Sequence, residues 1–305
     1  MPSKPRRAAK KILVLGDRRR AGVAEAVKRH AAFLARVAHV LDVDLEDRVD
    51  LARAKADLVL VFGGDGSILH VARRLGVNPI PVLGVNYGRF GYLADVEPEE
   101  LEQGLTRWLA GDFTIVPRLR LAVTVKRAGR PAERGAEQGL ALNDVVVARD
   151  QAGRMLDVDV RIDGLLALGI SGDGLIVATS TGSTAHALSA GGPIVAPTVD
   201  ALVLVPIAPH SLAHRALVLP ATHTLELRPE AGRHATSLVV DGRLTASLKP
   251  GDTVEVAGSD SPLHLVHVSK TSFYDALRVK LGWTGRVRPP AYSTPTQPEG
   301  GSPPP

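Results

Sequence analysis

The sequence has no cysteine, which excludes disulfides, thiolate metal ligands and cysteine redox pairs and is compatible with a reducing compartment. Aromatic residues are scarce: five Phe, two Trp and four Tyr, with no basic run interleaved among them, which argues against a base-stacking surface for nucleic acid. No apolar stretch reaches the roughly 18 residues of a membrane span. The basic segment "SKPRRAAKK" lacks the apolar core of a secretory signal. These absences predict a cytoplasmic protein that binds neither nucleic acid nor membrane. What is present suits a folded chain: 305 residues, 45% hydrophobic and 23% charged, are enough to bury two domain cores. The net charge of +5 favours an anionic partner, and a small phosphorylated substrate fits that description.

Hydrophobic periodicity divides the chain. "KILVLG" (11–16) is a short buried-strand run, and "AGVAEAVKRHAAFLARVA" after it carries apolar residues at helical spacing. "ADLVLVFGG" and "IPVLGV" repeat the strand pattern on either side of the helical "SILHVARRLG", and "EPEELEQGLTRWLAGD" adds a helix with acidic residues in its first turn. This alternation predicts a doubly wound α/β domain with parallel strands. From "RLRLAVTVKRAG" onward the runs are short, alternating and separated by turn residues: "LALNDVVVAR", "LDVDVRIDG", "LVLVPIAP", "TLELRP", "SLVVDG", "DTVEVAGS" and "PLHLVHVS". Such a series predicts an antiparallel β-sandwich, with "TAHALSAGG" as its one helical candidate. The expected organisation is a basic extension over 1–10, an α/β domain over 11–117, a β-sandwich over 118–270, a helix over 271–284 packing back on the α/β domain, and a disordered tail over 285–305.

In "VFGGDGSILH" (61–70) a strand ends in glycines where a helix begins. Glycines let backbone N–H groups approach a ligand closely, and a helix N-terminus favours an anion, so the turn reads as a phosphate cradle. Asp65 puts a negative charge into that cradle. Its carboxylate either accepts the proton of a hydroxyl nucleophile during phosphoryl transfer, where positioning dominates, or caps the helix; these residues alone leave both open. Gly182, Ser183 and Thr184 follow the strand "LIVAT" and either present amides and hydroxyls to a ligand or cap a helix. Asp173, between glycines, is a carboxylate on a turn. Asn143 and Asp144 stand side by side in an apolar strand, so at least one faces an interior or a cleft unless a bulge or strand edge intervenes. Ribose hydroxyls would satisfy it. His210 and His214 have the spacing of a metal pair if helical, but strand and loop residues precede them and no glutamate accompanies them, so no resident metal is expected. Arg73 and Arg74 read as a solvated helix face.

Taken in order, "GGDGSILH", "GVNYGRFGYL", "LNDVVV", "GDGLIVATSTGSTAHALSAGGP", "PHSLAHRALVLP", "DGR" and "LRVKLGW" resemble the NAD kinase family, which makes NADP by phosphorylating the adenosine ribose 2′-hydroxyl of NAD. The resemblance runs from about residue 11 to Trp283. "GGDG" alone also occurs in lipid kinases and phosphofructokinases; the series is specific. The resemblance implies an α/β domain plus a β-sandwich with NAD in the cleft, assembled as homodimers or homotetramers. It implies that Asp65 is the catalytic proton acceptor and that Gly66 lies beside the bound nucleotide. His70 matches a basic position facing the substrate, Asn143 and Asp144 the pair that holds ribose, Arg154 a basic position beyond it, and Asp173 the carboxylate near the nicotinamide end. Thr184, Ala185, His186, Ala187, Leu188 and Ser189 match the segment lining the NAD pocket. Mg²⁺ or another divalent cation is expected to arrive with the donor, ATP or polyphosphate.

Three positions depart from the family pattern: Ser67 for threonine, Asp144 for glutamate with one methylene less reach, and His186 for tyrosine, which places a titratable ring in the pocket segment. The competing readings are a lipid kinase of the diacylglycerol type and a non-catalytic nucleotide sensor. Against the first, no amphipathic basic helix with exposed aromatics is visible. Retention of Asp65 argues against the second.

Overall fold

A computed structural model describes residues 9–88, 91–129, 137–150, 155–230, 236–269 and 271–283. The expected tail over 285–305, most of the basic extension and Arg154 lie outside the described residues. The chain divides into two compact units, one ending at Lys270 and one beginning at Thr271.

In the first unit, strands β1 (Lys11–Gly16), β2 (His39–Asp44), β3 (Leu58–Gly63) and β4 (Val82–Asn86) form a parallel sheet in the order β2-β1-β3-β4. Three helices, α1 (Val23–Val37), α2 (Asp65–Leu75) and α3 (Leu101–Ala110), cover it. Ile12, Val14, Leu58, Leu60 and Phe62 pack with residues of α1 and α3, whereas Leu13, Leu15, Val59 and Val61 pack with Ile68, Val71, Ala72 and Leu75 of α2. Both faces are buried, and this is why β1 and β3 are apolar without alternation. The α2 residues fall at positions i, i+3, i+4 and i+7, one stripe of a helix, each large side chain contributing about 1.5–3 kcal/mol on burial. The chain leaves β1 toward β2 on one side and returns to β3 on the other. The switch point of the sheet therefore lies between the carboxyl ends of β1 and β3, where open α/β sheets bind ligands.

The remaining strands are β5 (Thr114–Lys126), β6 (Glu137–Ala141), β7 (Asp144–Arg149), β8 (Leu156–Ile162), β9 (Leu165–Gly172), β10 (Gly174–Thr179), β11 (Ala201–Ile207), β12 (Leu217–Pro220), β13 (Thr224–Pro229), β14 (Thr236–Val240), β15 (Arg243–Leu248) and β16 (Thr253–His267). The parallel sheet continues beyond β4 as β16-β13-β8-β9, with β5 on β16 and β6 on β5. A second, antiparallel sheet has the order β12-β11-β10-β7-β14-β15. Inward residues of the two sheets, among them Val123, Val147, Val177, Leu227 and Val256, share one core. "DTVEVAGS" and "PLHLVHVS", which read as two strands, are the two halves of β16: a register shift between Ser259 and Leu263 absorbs the intervening residues while pairing with β5 continues to His267↔Thr114. Pro117 falls inside β5.

Arg120 of β5 ties the sandwich to α2. Its Nη1 donates to the carbonyl of Gly76, the residue that ends α2, at 2.6 Å, and its Nε donates to the carbonyl of Ser261 at 2.5 Å. A buried cation thus supplies a donor to a helix carboxyl end, whose last carbonyls have no N–H partner within the helix. The helical expectation at "TAHALSAGG" contracts to one turn, α4 (His186–Ser189), after a 3₁₀ turn over Gly182–Thr184. It ends at Gly191, whose φ of 85° is left-handed. In the second unit, α5 (Phe273–Leu281) starts on a capping box formed by Ser272 and Asp275. No helix among the described residues is long and apolar enough to cross a membrane.

Candidate active site

Asp65 is the first residue of α2, directly after the glycine turn that ends β3. Its carboxylate is held from the opposite side by the chain that follows β4: the N–H of Tyr92 donates to Oδ2 at 2.8 Å and the N–H of Leu93 to Oδ1 at 3.0 Å. Gly91 lies flat against it, because a Cβ there would sit 1.9 Å from Oδ1. The same segment is fastened to the turn by the Tyr87 N–H, which donates to the Gly63 carbonyl at 3.3 Å. Gly63 in turn accommodates Ser67, whose Oγ would lie 2.1 Å from a Cβ at that position. The hydroxyl that replaces the usual threonine is therefore packed against the turn.

A cavity of about 440 Å³ opens at the switch point beside this turn, lined by Arg18, Arg19 and Arg20 after β1 and by Gly66, Ser67 and His70 of α2. Arg18 is paired with Glu46, Arg19 with Asp17, and Arg74 with Asp44 and Asp47. Arg20 instead reaches over the glycines: its Nη2 would be 3.6 Å from a Cβ on Gly66 and its Nη1 3.9 Å from one on Gly64. His70 faces this cavity, with Nδ1 placed to accept from Arg73 Nη2 at 2.7 Å and Nε2 placed to donate to Asp47 Oδ2 at 2.8 Å.

Asn143 and Asp144 do not lie inside one strand. β6 ends at Ala141 and β7 begins at Asp144, so Leu142 and Asn143 form the junction. Its backbone is tied on two sides. Thr179 donates its N–H to the Asn143 carbonyl at 2.9 Å and its hydroxyl to the Leu142 carbonyl at 2.6 Å, and the Gly182 N–H donates to the same hydroxyl at 2.9 Å. Gly182 has no room for a side chain, since a Cβ would meet the Asn143 carbonyl oxygen at 2.0 Å. From the other side, Asp241 accepts the N–H groups of Leu142, Asn143 and Asp144. Leu142 packs in the apolar cluster that contains Ile68 and Leu75, which places the junction against α2.

The other positions singled out in the sequence are distributed more widely. Thr184 and Ala185 close the turn beside Asn143, its hydroxyl bonded to the Thr181 carbonyl at 3.2 Å. Ala187 is buried against the outer face of the second sheet, Leu188 is half-buried, and His186 and Ser189 are exposed. Asp173 is at the far end of β10 from this turn, ion-paired with Arg149 at 2.8 Å, so a single copy of the chain does not bring it to Asn143 and Asp144. His210 and His214 lie in the non-helical loop between β11 and β12. Among the described residues no three His, Cys, Asp or Glu side chains stand together as a metal cage.

Burial and the neighbouring Asp241 push the Asp144 carboxyl up to about 7. Between the unfolded value of 3.8 and that value the native state holds a proton that the unfolded chain has released. Stability therefore falls as pH rises through this window, and the loss is complete above about 7. Asp144→Asn is expected to raise the melting temperature at pH 8 by on the order of 5 °C and to leave it unchanged at pH 3. Thermal scans at the two pH values check this; an equal shift at both would contradict it.

The N-terminal domain of ATP-NAD kinases matches residues 19–113, and the C-terminal domain matches residues 142–268. The chain belongs to the NAD kinase family. It is 41% identical over 277 residues to the NAD kinase of Rhodopirellula baltica, covering 91% of this chain and 88% of the relative. An NAD kinase from Archaeoglobus fulgidus, solved in complex with ATP, is 28% identical with a TM-score of 0.67, covering 89% of this chain and 97% of that one. Yeast NADH kinase, solved with NADH, shares the fold with a TM-score of 0.79 at 24% identity, over 93% of this chain and 90% of that one. An NAD kinase is a phosphotransferase with an alcohol acceptor, and these relatives support that activity over a lipid kinase or a sensor. Around the family motifs, the sequence left unmarked Gly91 and the Tyr92 and Leu93 amides on Asp65, the Thr179 hydroxyl, Asp241 and Arg20. The motif "DGR" was the only sign of Asp241, and "GYL" the only sign of the amides.

Proposed function

We propose that this NAD kinase transfers the terminal phosphoryl group of ATP, or of polyphosphate, to the 2′-hydroxyl of the adenosine ribose of NAD. The observation that carries the reading is the placing of Asp65: a carboxylate oriented by two backbone N–H groups, at the switch point of the sheet, beside an arginine-lined cavity. In the transfer, the ribose 2′-oxygen forms a bond to the γ-phosphorus, the bond from that phosphorus to the β–γ bridging oxygen breaks, and ADP leaves. The hydroxyl proton goes to Asp65. The donor enters as its divalent-cation complex, the cation neutralising charge on the phosphates, while the glycine turn and Arg20 hold the phosphate oxygens. Asn143 and Asp144 present acceptors and a donor to the ribose of NAD, and the turn over Gly182–Ser189 closes that side of the pocket. Asp173 joins a site only through a second copy, which favours a homo-oligomer.

Incubation with NAD, ATP and Mg²⁺, read by an enzyme that accepts NADP but not NAD, tests the activity. NADP is expected, and diacylglycerol in place of NAD is expected to give no labelled lipid. Transfer to the lipid and not to NAD would overturn the reading. Arg20 tests the donor site separately: Arg20→Ala is expected to raise the KM for ATP about tenfold while the KM for NAD stays within twofold, as for loss of a charge-assisted bond to phosphate. Equal KM values for ATP in the two proteins would remove Arg20 from the donor site.

A further inference from the structure

We propose that Asp241 is a positioning residue: from the turn between β14 and β15 its carboxylate fixes the backbone of Leu142–Asp144 so that the Asn143 and Asp144 side chains are presented to the ribose of the bound nucleotide. The proposal rests on the ribose-binding reading of that pair. Three N–H groups converge on this one carboxylate, Leu142 on Oδ2 at 2.8 Å and Asn143 and Asp144 on Oδ1 at 2.7 and 3.1 Å. The Asp241 N–H returns a bond to the Asp144 carbonyl at 3.0 Å. With the Asn143 carbonyl taken by Thr179, the backbone of the junction is satisfied from both sides.

The side chains are not. Among the described residues, no hydrogen bond is made to the Asn143 amide, which is half-buried, and no donor reaches the Asp144 carboxyl, which is 5% exposed. A rigid backbone that carries polar side chains not used within the protein is the arrangement of a preorganised binding site.

The turn explains why the brace is aspartate. Asp241 and Gly242 have φ of 46° and 73°, the two left-handed positions of a two-residue hairpin turn, where Asn-Gly and Asp-Gly are favoured. Asparagine would suit the turn equally well. It has one acceptor oxygen, however, and would set its NH₂ group against at least one of the three N–H donors. Asp241→Asn thus keeps the hairpin and breaks at least one of the three bonds of the brace. The charged groups facing Asp241 are Asp144 from β7 and Arg73 from α2, with Arg243 two residues along its own hairpin. Loss of the Asp241 charge lowers the pH at which Asp144 releases its proton, because the like charge beside it is gone.

The test measures NAD affinity by calorimetry, which needs no turnover, together with KM and kcat, on wild type and on Asp241→Asn. The Kd and KM for NAD are expected to rise at least about tenfold, with KM for ATP and kcat at saturating NAD changed less than about threefold. The midpoint of the pH dependence of NAD affinity is expected to move toward acid. Unchanged NAD affinity, or loss in both KM values and kcat with an unmoved midpoint, would overturn the proposal. If the asparagine variant does not fold, Asp241→Glu keeps the charge but lengthens the brace: weakened NAD binding with an unmoved midpoint is expected, and wild-type affinity would overturn the proposal. A wild-type protein that binds NAD yet makes no NADP would refute the kinase reading and leave this test in force.

Discussion

Asp65→Asn is expected to lower the rate of NADP formation by about 10²- to 10⁴-fold while NAD binding stays within a few-fold of wild type. The substitution keeps the size of the side chain and removes the proton acceptor. It also sets an NH₂ group against the N–H of Tyr92 or Leu93, which the carboxylate satisfies in the wild type. That clash costs about 1–3 kcal/mol, and it falls on folding, where a thermal scan reads it. A 10³-fold loss of rate corresponds to about 4 kcal/mol at the transition state. Rate and stability measured on one preparation therefore separate the chemical role from the structural one. A variant that turns over near the wild-type rate would leave Asp65 as a helix-terminal residue only.

Gly91→Ala is expected to be nearly as damaging, with a loss of about 10²-fold or more in kcat, although residue 91 takes no part in the chemistry. A Cβ there would lie 1.9 Å from Oδ1 and 2.5 Å from Cγ of Asp65, so either the carboxylate or the Tyr92–Leu93 backbone must move. A displacement of about 1 Å at a reacting group is enough for a loss of that size. Gly139→Ala is the control, since a Cβ at Gly139 meets nothing within 4 Å. Comparable activity of the two variants would show that the segment after β4 does not hold Asp65 in its working position.

How far the sequence disclosed this site follows from the kind of contact involved. β1, β3 and α2 were legible because burial of both sheet faces and of one helix stripe writes itself into side-chain type. β2, "HVLDVD", was not: it is an edge strand whose Leu41 and Val43 are 39% and 44% exposed and whose one fully buried residue is Asp44. Asp65 was visible through its glycines, but the groups that orient it are backbone N–H donors some 27 residues later, and an amide donor leaves no mark on residue identity. Asp241 shows the same limitation at larger separation, nearly 100 residues from the junction it braces. The split of Asn143 and Asp144 across a strand junction was equally hidden, since the run "ALNDVVVAR" is apolar on both sides of the break.

The central claim is that the acceptor is the 2′-hydroxyl of NAD, and the most direct measurement is ³¹P NMR of the dinucleotide recovered after incubation with ATP, Mg²⁺ and NAD. A single new phosphomonoester signal coupled to the adenosine 2′-proton, present with wild type and absent with Asp65→Asn, is predicted. No new phosphomonoester with wild type, or one on any other hydroxyl, would contradict it.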